Sequence, residues 1–416
     1  MNERPGNFPP PAAPLWHNRD YMLLWSGQVV STLGSSAASI IYPLLILAIT
    51  NSPGAAGVAA ALRALPYLLF SLPVGALVDR WNRKRVMIVC DLLRAVVVLT
   101  IPLALWFDLL TLWQIYLVAF IEGSLYVFFN LAEVAALARV VPAVDLPRAA
   151  AQNEAAFGAA QIAGPSLGTM LFQTLGRSAP FVADALTYLV SAAALARIQT
   201  DFRPAPPTTS RKLRAEIMEG LHWLWQQRLI RYMAVLTGSM NFVYAATPLI
   251  LIVLAKQMGA SDIEIGLVFS IGGVSGIAGA LIGGRIQRRF SFGQVITSVV
   301  WAQALLFPLY LVVPKFYLLG VIFALIYTLS PVYNVVQFSY RLALIPQALQ
   351  GRVNSSFRLL AFGFNPLGAL LCGLLLEHAG STTTVMFFAA WYFTMALVTQ
   401  LNPHVRNAPP APMGTR

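Results

Sequence analysis

Charge is what this chain has least of. Only 11% of its 416 residues are Asp, Glu, Lys or Arg, against 58% hydrophobic, whereas a soluble domain carries about 25% charged residues. That scarcity excludes an ordinary water-soluble fold. Cysteine is nearly absent too. Cys90 and Cys372 each lie in an apolar run, which gives neither a disulfide framework nor a thiolate metal site. The four histidines (His17, His222, His378 and His404) are scattered, without HExxH or any paired spacing, so no metal is implied. No GxxxxGK[ST] stretch is present to hold ATP. With no nucleophile–base pair and no cofactor loop either, an enzyme is the least supported class and no cofactor is expected. Residues 1–19 are proline-rich and lack the apolar core of a signal peptide, and they read as a flexible tail. Alternating ten-residue strands of an outer-membrane barrel are missing.

What is present is a series of apolar stretches, each long enough to cross a bilayer at about 20 residues. Twelve candidate helices lie near 20–50, 54–78, 86–106, 110–138, 150–176, 179–200, 229–257, 262–284, 292–313, 316–344, 353–376 and 381–401. The expected class is an all-α polytopic membrane protein, with the lipid bilayer as its partner. Of the 28 Lys and Arg, Arg63 and Arg94 fall inside spans, and Arg177, Lys256 and Lys315 on one side of the membrane. The other 23 lie in or beside loops on the side shared by both termini, which the positive-inside rule makes cytoplasmic. The net charge of +12 is thus a topology signal, and nucleic acid is not an expected partner.

One long loop divides the chain. It suggests a six-helix bundle over 20–200, a cytoplasmic linker over 201–228, a second bundle over 229–401 and a tail over 402–416. The linker begins as a Pro/Thr stretch. It then places Leu213, Ile217, Leu221 and Leu224 at helical spacing, as in an amphipathic helix lying along the interface. The second bundle echoes the first. Gly75–Leu77 ("GAL") recurs as Gly279–Leu281, 204 residues later, and each copy precedes a basic run. Asn130 and Pro142 recur at the same offset as Asn334 and Pro346, and Asn153 and Pro165 recur at 201 as Asn354 and Pro366. Several matches near one offset imply a duplication. Parallel repeats of this kind place the substrate site between the halves.

The stretch "GALVDRWNRKRV", residues 75–86, resembles the signature loop of the major facilitator superfamily. Further stretches resemble its branch of enterobactin exporters and macrolide-efflux proteins: "NRDYMLLWSGQ", "ALRALP", "DLLRA", "FFN", "AGPSLG", "ADALTYLVSAA" and "GRVN", in the expected order. The resemblance implies twelve helices in two pseudo-symmetric bundles, a monomer, and transport by alternating access. Three departures stand out. Asn82 occupies the loop's usual glycine position, "FFNLAEVAAL" lacks the usual proline and basic residue, and Gly283 stands where the repeat would carry Asp79.

Intramembrane ionisable groups are costly and so are functional candidates. Glu122 falls near the middle of the fourth span. Desolvation penalises its charged form, so it is the expected proton-coupling site. The alternatives are a static partner for a nearby cation or tyrosine, or a group that only contacts a cationic substrate. Polar stripes on the first, fourth, seventh and tenth spans, which line the cavity in this superfamily, nominate Gln28, Ser31, Ser35, Tyr126, Asn130, Asn241, Tyr244, Asn334 and Gln337. The resemblance implies a cytoplasmic gate at Gly75, Asp79, Arg80 and Arg83. Glu133 is a candidate partner for Arg80 or Arg83, and Asp91 and Arg94, three residues apart on the third span, either pair with each other or extend the gate. It also places Arg63 at an outer gate. The alternative for the charged run is that it only enforces topology. The expected function is export of small amphipathic molecules in exchange for protons. Few Arg or Lys fall on the cavity stripes, which favours neutral or cationic drug-like substrates over a siderophore. A siderophore or other metabolite exporter, a lysolipid transporter and a non-transporting receptor or scaffold stay open as alternatives.

Overall fold

A computed structural model of the chain describes residues 15–202, 213–346 and 349–408. The predicted tails over 1–14 and 409–416 and the Pro/Thr part of the linker over 203–212 lie outside the described residues. Every regular element described is helical.

The first half contains α1 (Arg19–Thr50), α2 (Pro53–Val78), α3 (Arg83–Trp106), α4 (Leu112–Val140), α5 (Leu146–Leu175) and α6 (Ala179–Arg197). The linker carries α7 (Leu213–Gln226). The second half follows with α8 (Arg228–Gln257), α9 (Asp262–Arg289), α10 (Phe292–Leu306, continued as a 3-10 turn to Leu311) and α11 (Phe316–Leu344). It ends with α12 (Gln350–Gly363), α13 (Asn365–His378), α14 (Gly380–Leu401) and the short α15 (Pro403–Arg406). Local chemistry sets many of these starts. Asn18, Ser52, Asn82, Thr111, Ser261 and Ser291 each accept a hydrogen bond from a backbone N–H in the first turn of the helix that follows. Such caps satisfy donors that the helix itself leaves unpaired.

Asn82 is the informative one. It replaces the glycine of the signature loop, and its Oδ1 accepts from Arg85 N at 3.2 Å to start α3. Beside it, Lys84 Nζ donates to the carbonyls of Ala196 and Ile198 at 3.0 and 2.6 Å, closing the C-terminus of α6. Part of the charged run therefore serves helix ends.

Among the described residues, eleven helical segments are long and apolar enough to cross a membrane. The thirty-residue α5 is as long but less apolar, because it carries Gln152, Asn153, Glu154 and Gln161. The span expected over 353–376 is two helices rather than one. They break at Phe364, just ahead of Pro366, which has no N–H to continue the ladder. The basic run after Gly279 is helical as well and forms the last turn of α9, where cations complement the helix dipole.

In the first half α1 packs on α5 and α6, α2 on α4, and α3 on α4 and α6. In the second, α9 packs on α11, α10 on α11 and α14, and α8 on α12, α13 and α14. The linker helix α7 rests on α12, with Leu224 buried and Arg352 Nη1 bonded to Glu219 Oε2 at 2.7 Å.

The halves meet chiefly through α2 against α13 and α5 against α9. These contacts lie towards the end of the bundle opposite the linker, here called the far end. Gly57 of α2 and Gly373 of α13 approach so closely that a Cβ on either would lie 2.7 Å from the other backbone. A Cβ on Gly266 would strike the Thr169 hydroxyl, and Ser166 Oγ lies 2.7 Å from Ser270 Oγ. Small residues are what allow membrane helices to approach in this way. At the linker end the picture reverses. Gly75 has no neighbour within 4 Å of an added Cβ, and the Asp79 side chain is 75% exposed. The molecule is shut at the far end and open at the linker end.

Candidate functional site

Between the halves lies a cavity of about 520 Å³, walled by α1, α2, α3, α4, α8, α12 and Asn365. That is the size of a pocket for a drug-like molecule. Alanine and aromatic side chains are the commonest on its walls, and three of its four charged groups, Arg63, Arg94 and Glu122, gather together.

Arg63 and Glu122 each lie ten residues into helices that begin at the far end, α2 and α4. They are brought level because Gly123 lets α4 touch the carbonyl of Arg63, where any Cβ would collide. Arg63 Nη2 then donates to Glu122 Oε1 at 2.8 Å. Arg94 of α3 approaches the same oxygen at 3.7 Å. Tyr42 OH donates to Oε2 at 2.9 Å, and Tyr188 OH to Oε1 at 3.2 Å. Glu122 is 1% exposed, so these four groups replace the hydration it has lost. Arg94 also donates to Tyr188 OH at 2.6 Å and lies over the Tyr188 ring at 4.0 Å from its centroid.

Two further carboxyls stand behind this pair. Asp184 of α6, one turn before Tyr188, accepts from Ser35 Oγ at 3.4 Å. Asp91 of α3 meets Arg94 Nη1 at 4.0 Å. Both are fully buried. Three carboxyls therefore share two guanidinium groups.

Of the residues nominated for the cavity, Ser35, Tyr126 and Asn130 line it, as does Glu122. Gln28, Ser31, Asn241, Tyr244, Asn334 and Gln337 are not on its wall. Ser31 and Gln337 are buried in helix packing, Gln28 is half-buried and Asn334 exposed. Asn241 Nδ2 donates to the Ala361 carbonyl at 2.8 Å, and Tyr244 stacks near Tyr327. Arg63, expected at an outer gate, is drawn to the centre instead, and of the two readings for Asp91 and Arg94 the mutual pair is the one present. Arg63 turns to Glu122, and Arg94 joins the same cluster, with Asp91 beside it. At the signature loop, Asp79 and Arg83 pair at 3.7 Å, Arg80 is exposed, and Glu133 is half-buried with no ion pair to Arg80 or Arg83.

Sequence reasoning missed Tyr42, Asp184, Tyr188 and Arg358. For Asp184 and Tyr188 a signal existed, an acid and a tyrosine four residues apart within an apolar span. The expectation of a cavity poor in cations also needs correcting, since Arg63, Arg94 and Arg358 all line it. Arg358 lies only eight residues from the start of its helix, a place along the chain that groups it with the loop cations.

Comparison with known proteins bears on the same architecture. Multidrug efflux pump Tap of Mycobacterium tuberculosis (strain ATCC 25618 / H37Rv) is 27% identical over 409 residues, covering 94% of this chain and 95% of its own. Macrolide efflux protein A of Streptococcus pyogenes is 24% identical, covering 93% and 96%. The crystal structure of the nucleoside transporter NupG superposes with a TM-score of 0.69 at 15% identity, covering 93% of this chain and 97% of that one. The family model for the Major Facilitator Superfamily matches residues 24–365. With two helical halves around a central cavity and a family match over most of its length, this multi-pass cell-membrane protein, a transporter and not an enzyme, belongs to the Major Facilitator Superfamily.

Proposed function

We propose that this protein is a secondary active exporter of small amphipathic molecules of the drug-efflux kind, working by alternating access as a proton antiporter. The observation that carries the reading is the cavity between the halves, open at the linker end, with the Arg63–Glu122–Arg94 cluster in its wall. The efflux activities named for Tap and for macrolide efflux protein A support the drug class. In this reading α5 supplies the twelfth span, and the linker end with both termini faces the cytoplasm, as the distribution of Lys and Arg favours. The open vestibule then receives substrate from inside. The other face is reached when the linker end closes around Gly75, Asp79, Arg80, Arg83 and Glu133.

Proton coupling follows from the charge count. Two guanidinium groups balance two of the three buried carboxyls, and an unbalanced charge in such a place is expensive. A proton balances the third. Glu122 is the one carboxyl of the three that lines the cavity, so the proton enters and leaves there. When Glu122 is protonated its hold on Arg63 weakens, and when it is ionised the hold returns. Substrate and proton thereby compete for one cluster.

The test uses proteoliposomes with an imposed pH gradient and a cationic dye such as ethidium. Wild type should move the dye faster with the gradient than without it. Glu122→Gln should still bind dye but show no gradient response. A Glu122→Gln protein as gradient-responsive as wild type would remove Glu122 from coupling, and a wild type that moves no dye would remove the drug-efflux reading.

A further inference from the structure

The two halves bring opposite chemistry to the cavity. The first half supplies the buried carboxyls together with Arg63 and Arg94. The second half, residues 229–401, contains just three acidic residues, Asp262, Glu264 and Glu377. All three lie at the far end, two in the first turn of α9 and one in the last turn of α13. What this half places on the cavity wall instead is Arg358.

Arg358 lies eight residues along α12, roughly 12 Å into the bundle at the α-helical rise. Among the described residues it makes no ion pair. Its guanidinium carbon stands 6.0 Å from the ring centroid of Phe362, one turn on, and Phe362 meets Tyr67 of the other half edge-on at 5.5 Å. Tyr126 is on the same wall. Three guanidinium groups therefore face the cavity against one carboxylate, and Glu122 already occupies two of them. A lone guanidinium is tolerable while water fills the open vestibule. Once the linker end closes and the water leaves, it needs an anion. The second half offers none within reach.

We infer that Arg358 is the binding group for the anionic head of amphipathic organic acids and zwitterions, a carboxylate on an aromatic or apolar body, a substrate class that this cavity takes beside cationic dyes. The inference rests on the transport reading above and sharpens it. The apolar body lies against Tyr67, Tyr126 and Phe362, and the carboxylate accepts from the Arg358 fork. This divides the work between halves. Proton exchange stays with the Glu122 cluster of the first, and head-group recognition belongs to the second. One rival use of Arg358 is present in the structure. Glu133 of α4 also makes no ion pair among the described residues, and closure of the linker end could bring the two together as a gate.

The experiment compares dansylglycine with dansylglycinamide, which share a body and differ in the charge. Binding is titrated by fluorescence on the full chain in nanodiscs, with ethidium transport measured on the same preparations. Wild type should bind the acid at least tenfold tighter than the amide. Arg358→Gln should bring that ratio close to one, and Arg358→Lys should restore part of it, with size exclusion confirming that both variants fold. If wild type transports ethidium yet shows no preference for the acid, the anion site falls while the transport reading stands. If wild type neither transports ethidium nor binds either dansyl probe, both fall. An equal loss of both dansyl ligands in Arg358→Gln, or collapse of the ratio in Glu133→Gln as well, would make Arg358 a gate charge and overturn the assignment.

Discussion

Glu377 stands at the last turn of α13 with its carboxylate on the first turn of α2, and substituting it should unlatch the closed end of the molecule. Its Oε2 accepts from Ser52 Oγ at 2.5 Å and from Gly54 N at 2.7 Å. Ser52 is also the cap of α2, so a group from one half seals a helix N-terminus of the other. An anion at a helix N-terminus contributes about 0.3–1 kcal/mol, and solvent exposure keeps the whole contact well below a buried pair. Glu377→Gln keeps an acceptor but loses the charge, at about 1 kcal/mol, whereas Glu377→Ala loses both, at about 2 kcal/mol. Those costs shift the balance between the two faces about 5-fold and about 30-fold. The shift disfavours the conformation described here. Spin labels on Val144→Cys and Arg289→Cys, at the linker ends of opposite halves, would report it by pulsed electron resonance. Cys90 and Cys372 are buried and can stay in place. The long-distance population at the linker end should shrink in the order wild type, Gln, Ala, and high salt should blunt the Gln effect. Superimposable distributions, or longer ones in the variants, would refute the latch.

Two further outcomes test the central cluster and the signature loop. Asp184→Asn should unfold near the wild-type temperature, because it removes the surplus carboxyl, whereas Glu122→Gln should lose about 3 kcal/mol by taking away the ion-pair partner of Arg63, Arg94 keeping Asp91. Equal losses in thermal unfolding would contradict the three-to-two charge count. Replacing Asn82 with Ala should cost about 1 kcal/mol but replacing it with Gly only a few tenths, and a fall in melting temperature as large for Gly as for Ala would sink the capping role.

Much of the framework was legible in the chain because apolar length is a strong signal. Most helix limits fall within a few residues of those expected. The break at Phe364 was foreshadowed by Pro366, though a proline alone does not distinguish a bend from a separation. The site was harder to read. Position along one helix located Glu122 but said nothing of Asp184, which reaches the cluster through the packing of α6 on α1 and α3. Arg358 was misread for a related reason. Its distance from a helix end suggested a rim, but the halves diverge at that end, so the vestibule carries water down to its depth. Arg63 was assigned to a gate by motif. Only the approach of α4 to α2 at Gly123 shows where the guanidinium of Arg63 can go.

The far-end seam has one more consequence, and it concerns rates. Gly57 meets Gly373 backbone to backbone, and Gly266 and Gly273 press against Thr169 and Ile162. A seam made so largely of glycine freezes few rotamers when it forms and frees few when it parts, so little side-chain entropy changes hands in either direction. Long interdigitating side chains would have to unthread before the halves could separate. Here the surfaces can come apart almost as rigid bodies, and the hydrogen bonds at Glu377, between Ser166 and Ser270, from Ser270 Oγ to the Ile162 carbonyl and from Ile263 N to Gln173 Oε1 are left to set the lifetime of the closed end.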